Sequence, residues 1–142
     1  NPVLWINKVQ ITGEEIDLFC NNNTLDSIYI SANPFIIDPL DSLNFYNQIK
    51  GKKLHGNFKK NKIQSVNIDG NSQMKYFNIK DNKLGVNSSK SSKIKLLFNN
   101  NHIENVICLD QIESNYVEID TNETEKITQS ILYLDGFHLI IK

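Results

Sequence analysis

Between Ile11 and Asn33, apolar and polar residues alternate in two short runs joined by a cluster of asparagines. Ile16, Leu18 and Cys20 alternate with Asp17 and Phe19, the period-two signature of a strand with one buried face. Asn21-Asn22-Asn23 tolerates left-handed backbone angles and predicts a hairpin turn. The return run places Leu25, Ile28, Ile30 and Ala32 inward, with Ser27, Tyr29 and Ser31 outward.

The same pattern recurs when the chain is slid along itself from Ile11 to Ile49, which brings residues 49–71 into register without a gap. Gly13 then meets Gly51, Ile16 meets Leu54, Asn23 meets Asn61, Leu25 meets Ile63, Ile28 meets Val66, and Ile30 meets Ile68. In this second copy Leu54, Gly56 and Phe58 face inward, the turn is Lys59-Lys60-Asn61-Lys62, and Ile63, Val66 and Ile68 return. Gly56 at an inward position leaves room for a neighbouring side chain or a ligand. A looser third copy has Ile94, Leu96 and Phe98, the turn Asn99-Asn100-Asn101, then Ile103, Val106 and Cys108. Repeats at about 11–37, 49–76 and 89–110, with a divergent last rung over 111–142, predict a stacked architecture. The expected fold is all-β: two-stranded rungs stacked at ~4.8 Å into a β-roll, with open edges that invite pairing with another chain.

Outside the repeats the signals are weaker. Residues 3–11 read as one strand, 34–48 as a connection carrying Pro34 and Pro39, and 78–93 as a polar, mobile loop. Asp120-Thr121-Asn122-Glu123 offers helix-capping residues, so a short helix is expected over 123–130. Two apolar runs, 131–134 and 137–141, flank Asp135-Gly136, a hairpin turn signal.

At 142 residues the chain is read as one domain spanning 1–142, long enough to bury a core. A formal net charge of −1 gives no electrostatic reason to expect nucleic acid. All 15 basic residues are lysine, which removes the side chain best suited to bidentate phosphate recognition. The abundance of asparagine, lysine and isoleucine is read as the mark of an AT-rich genome. No apolar stretch approaches the roughly 20 residues needed for a membrane-spanning helix. The chain begins on apolar residues without a methionine, so a processed or excised piece is expected. Cys20 shares its repeat column with Phe58 and Phe98, and Cys108 shares one with Ile30 and Ile68. Both are expected to be buried free thiols, two rungs or about 9–10 Å apart, too far for a disulfide.

No set of converging polar groups suggests catalysis, and no metal or cofactor is expected. His55, His102 and His138 are scattered and read as solvated. Lys50, Lys52, Lys53, Lys59, Lys60 and Lys62 form the one charge concentration. They read either as point charges for lipid phosphates, with Lys50, Lys52 and Lys53 foremost, or as a solvated edge that discourages aggregation.

Several segments carry a family likeness. Pro2-Val3-Leu4-Trp5, Gln10-Ile11-Thr12-Gly13, Tyr46-Asn47-Gln48-Ile49-Lys50-Gly51, Gly70-Asn71, Gly85-Val86-Asn87 and Ser91-Ser92-Lys93 resemble the OstA-like proteins of Bacteroidetes. That group is related to the LptA bridge protein and the periplasmic domain of LptD. The likeness covers residues 2 to about 108, with Leu134-Asp135-Gly136-Phe137 as a late element. It implies a β-jellyroll in the periplasm of a Gram-negative bacterium, associated with the outer membrane. It also implies a groove for lipopolysaccharide acyl chains and edge-to-edge contact with similar modules or with itself. The inward columns named above, from Ile16 to Val106, would line that groove. Asp26-Ser27-Ile28 and Asp41-Ser42-Leu43 match a short periplasmic O-glycosylation pattern. The alternative is a structural β-repeat scaffold or adhesin-like domain that binds protein or glycan on its outer face.

Overall fold

Left-handed backbone angles fall where the sequence concentrates asparagine. In the computed structural model, which describes residues 1–40, 44–122 and 129–140, φ is positive at both residues of Asn22-Asn23, Lys60-Asn61, Asp81-Asn82 and Asn100-Asn101. Two consecutive positive angles give the type I′ turn, whose twist matches that of its flanking strands. The chain starts with a hairpin of β1 (Val3–Ile6) and β2 (Val9–Thr12), then runs into β3 (Ile16–Asn21). Asn22-Asn23 turns it into β4 (Thr24–Ile30), which continues as β5 (Phe35–Pro39). β6 (Tyr46–Lys50) leads to β7 (Lys53–Lys59), and Lys60-Asn61 to the long β8 (Lys62–Lys80). Asp81-Asn82 then opens β9 (Lys83–Asn99), and Asn100-Asn101 opens β10 (His102–Leu109), followed by β11 (Glu113–Asp120). A helical turn, α1 (Gln129–Leu132), comes last among the described residues.

All eleven strands among the described residues belong to one sheet, curled into an open half-barrel. Its first arm has the order β3-β4-β7-β8-β9-β10, and its second β1-β2-β5-β6-β8-β9-β11. β8 and β9 run through both arms. The register of β8 against β9 shifts between Asp69 and Ser72, where Gly70 and Asn71 adopt positive φ. Other ribbons pass from arm to arm at Gly13 and Gly51. A Cβ at Gly13 would collide with the Ile30 side chain, and one at Gly51 with Ile68. The matched glycine column is therefore a steric requirement of the corner.

The register explains the repeat. One row of partners crosses the first arm as Ile16–Ile30–Leu54–Ile68–Ile94–Cys108. Equivalent positions of successive copies are thus two strands apart, about 10 Å, rather than one stacked directly on the next. Cys20 and Cys108 lie on opposite edge strands, β3 and β10, separated by roughly 24 Å of sheet. Both thiols are free, but Cys20 is exposed and Cys108 half-buried, because an edge strand has a neighbour on one side only.

The second arm departs most from expectation. Residues 3–11 form a hairpin rather than one strand, and 34–48 contains β5 and β6. The apolar run Phe35-Ile36-Ile37 is wholly buried because the arm is covered on both faces. Ile36 joins Ile11, Ile49 and Met74 in the core between the arms. Phe35 and Ile37 pack on the other side with Leu134, Tyr46 and Phe137. Farther along that outer face, Phe77, Leu84 and Val86 meet Leu40, Phe45, Ile131 and Leu132. The covering layer is the C-terminal segment, held by two glutamines. Gln48 donates to Leu132 O (2.8 Å) and accepts from Leu134 N (2.7 Å). Gln10 donates to His138 O (2.9 Å) and accepts from Ile140 N (2.9 Å).

Apart from the Asp81-Asn82 turn, residues 78–93 are also strand rather than loop. Their serines and lysines sit in ladders between β8, β9 and β11, where pairing on both sides overrides a weak strand propensity. Asp135-Gly136 does turn, with Phe137 N bonded to Leu134 O, but among the described residues no strands flank it. Most of the helix expected over 123–130 lies outside the described residues, as does Asp41-Ser42-Leu43. Ser27 lies within paired β4 and is buried, which leaves little space for a glycan.

Candidate functional site

The residues proposed as groove lining converge on one interior. Ile28, Ile30, Leu54, Phe58, Ile63, Val66, Ile68, Ile94, Leu96 and Phe98 are buried in a single cluster between the arms. Ile16, Leu25, Ile103 and Val106 pack against it and remain half-buried. Leu18 is the exception at 52 % exposed. It pairs with Ile28 and shares its face, but β3 is an edge strand and nothing covers it there. The centre of the interior is closely filled. The space beside Gly56, which has no side chain of its own, is taken by Ile28.

The interior is closed at its middle and open at its two edges. At β3 it surfaces through Ile16 and Leu18, and at β10 through Ile103, Val106 and Cys108. Among the described residues, β1, β3, β10 and β11 each pair with one neighbour, leaving unpaired backbone on both sides of the half-barrel.

The lysine concentration does not stay together. Lys50 lies on the outer face of the second arm, and its Nζ donates to Asp135 O at 2.8 Å. Lys52 and Lys53 are exposed at the corner between β6 and β7, and Lys59, Lys60 and Lys62 surround a hairpin turn. His55 is not merely solvated. Its ring stacks on Tyr29 at 4.2 Å, and Tyr29 meets Phe19 edge-on at 5.4 Å. These three form an aromatic run on the outer face of the first arm. No group of three or more potential metal ligands occurs among the described residues.

One feature escaped the alternation pattern. Lys75 on β8 is only 8 % exposed, and its Nζ donates to Ser88 Oγ at 2.7 Å. It stands in the row of Gln10, Ile37 and Gln48, on the face covered by the C-terminal segment. Burial pushes its pKa down from the usual lysine value. Beside it lies a cavity of about 490 Å³ between the arm and that segment. Tyr76 next to it faces the interior, and its pKa is raised by burial and then by the charge of Asp38. A lysine among outward-reading residues carries no sequence signal of burial. The polar row of Gln10, Gln48 and Lys75 between apolar columns was the available hint. No protein-family model and no curated protein matches the chain.

Proposed function

We propose that this chain is a non-enzymatic lipid-binding module that shields lipopolysaccharide acyl chains against its apolar interior during transport to the outer membrane. The reading places it in the periplasm, with edge strands that pair with similar modules or with a second copy. The observation that carries it is the continuity between the buried interior and the two open edges. Apolar rows begin at Ile16 and Leu18 on β3, cross the whole first arm, and emerge again at Val106 and Cys108 on β10. Because the centre is filled, acyl chains dock at the edges rather than in a preformed channel. Each methylene covered there contributes about 0.8 kcal/mol. Exposed Lys52 and Lys53 remain available to lipid phosphates, whereas Lys50 is committed to Asp135.

A photo-reactive residue at Leu18 tests this against one at Lys95, which lies on the outer face in the row of His55 and Asn67. With lipopolysaccharide present, adducts at Leu18 and none at Lys95 are expected. Labelling at Lys95 with none at Leu18 sinks the reading.

The exposed aromatic run Phe19–Tyr29–His55 favours a second reading, a scaffold or adhesin-like domain that presents this outer face to glycan or protein. Aromatic faces of this kind suit stacking contacts. Tyr29→Ala would then abolish glycan or protein binding, and lipopolysaccharide would give no adducts at Leu18 in the unsubstituted chain.

A further inference from the structure

We infer that the cavity between the second arm and the C-terminal segment binds a small oxyanion, the carboxylate or phosphate of a ligand, with Lys75 as its cation. The cavity is lined by Gln73, Lys75, Ser88, Asn115 and Tyr133, with Lys90 and Glu113 toward the edge strand. An ammonium has three N–H donors. At Lys75 one of them reaches Ser88 Oγ, and no carboxylate pairs with this amine among the described residues. A buried charge left with unused donors is costly. An anion entering the cavity supplies acceptors and a counter-charge that the described residues do not, as charge-assisted hydrogen bonds.

The lining carboxylates do not already fill that role. Glu113 is exposed on β11 and pairs in register with Lys90, and Asp135 is exposed, with its backbone carbonyl engaged by Lys50. The spacing of Lys75 and Ser88 also resembles an amine that activates a hydroxyl nucleophile. β9 is paired at Ser88 with both β8 and β11, however, so its backbone belongs to the ladders and supplies no free N–H pair for an oxyanion intermediate. The geometry thus favours binding over acyl transfer. This site faces away from the apolar interior and does not rest on the lipid reading.

The test is a titration of the full chain with inorganic phosphate and, separately, with acetate, followed by backbone amide NMR. Saturable shifts at Lys75, Ser88 and Asn115 are expected with at least one anion, and the anion that binds identifies the ligand chemistry. Lys75→Met should weaken that binding by about tenfold or more, as expected for losing a hydrogen bond to a charged group. Lys90→Met at the edge should change it less. In the unsubstituted chain, the Lys75 amine, followed through its Cε resonance, should titrate at higher pH when the anion is saturating. An absence of saturable shifts with both anions overturns the proposal. So does undiminished binding by folded Lys75→Met, and if that variant does not fold, an unmoved Lys75 titration decides against it.

Discussion

The two arms of the half-barrel are built from the same ribbons, yet only the first alternates buried and exposed positions, interrupted by one bulge in each of its three hairpins. Its inner face is core and its outer face meets solvent, so Leu54, Gly56 and Phe58 point one way while Lys53, His55 and Asn57 point the other. The second arm is sandwiched between the first arm and the C-terminal segment. There both residue parities are buried, with Ile36 on one side and Phe35 and Ile37 on the other. A layer covered on two faces needs apolar residues in succession and polar groups that can hold its cover. Gln10 and Gln48 meet the second need.

The largest expected effect probes the layer that both arms share. Ile68 is fully buried at the centre of an interior row that crosses all six strands of the first arm. Ile68→Ala should cost about 2–5 kcal/mol by denaturant unfolding. Leu134→Ala, in the outer layer, removes a similar side chain from a smaller cluster on the C-terminal segment. It should fall near the low end of the same range, about 2 kcal/mol. An equal loss in the two variants would mean that the outer layer is as integral as the inner one.

The glutamines separate the layers more finely. Gln48→Ala leaves Leu132 O and Leu134 N without their side-chain partner and should cost about 1–3 kcal/mol. Hydrogen exchange should accelerate at Leu134 and its neighbours while first-arm amides such as Val66 and Leu96 keep their protection. Uniform acceleration through both arms would show that the cover does not open independently. At the first-arm turns, Asn61 has φ 63 and its Oδ1 accepts from Leu25 N at 2.9 Å, so Asn61→Ala, which loses the bond and strains the angle, should cost about 2 kcal/mol in thermal or denaturant unfolding. Asn61→Gly loses only the bond, since glycine accepts that angle freely, and should cost about 1 kcal/mol.

These contrasts show what was legible in the residues. The first-arm hairpins were readable because each repeat carries alternating apolar positions and an asparagine or lysine turn. Asparagine abundance, read as genome bias, also has a structural use at the left-handed turn positions. The second arm was opaque for a physical reason. Burial on both faces erases period two in β5, and Ser88, Ser89 and Lys90 in β9 look like a loop until β8 and β11 pair on either side. The interior columns were located, but their state was not. Periodicity specifies which face a residue takes, whereas exposure at Leu18 and Cys20 depends on whether another strand lies beyond β3.

Lys75 supplies a pH-dependent contrast between the layers. Burial holds its folded pKa below the ordinary lysine value of 10.5, so the unfolded chain binds more protons between those two values and stability should rise with pH across that window. Tyr76 acts in the opposite sense. Its pKa is raised above 10.0, and the stability this gives is present below 10.0 and lost as pH climbs through the raised value. The difference between the wild-type chain and Lys75→Met removes the tyrosine contribution. That difference should move in favour of the wild type as pH rises toward 10.5, measured by urea unfolding at a series of pH values. A pH-independent difference would falsify the assignment of Lys75 as a buried charge.

The smallest effect on stability falls where the functional claim is greatest. Leu18 points along the interior row of Ile28, but it is uncovered on β3. If exposure there merely reflects an edge strand, Leu18→Ser should leave stability within about 0.5 kcal/mol of the unsubstituted chain and leave lipid capture unchanged. If the edge is where acyl chains dock, the same variant should keep its stability and lose lipid capture, read by photo-crosslinking from neighbouring Ile16. Val106→Ser at the opposite edge extends the comparison, because Val106 lies in the same row at β10. Loss at Leu18 alone assigns docking to the β3 side, and loss at both assigns it to both openings. Retention at both removes the first arm's edges from the lipid path.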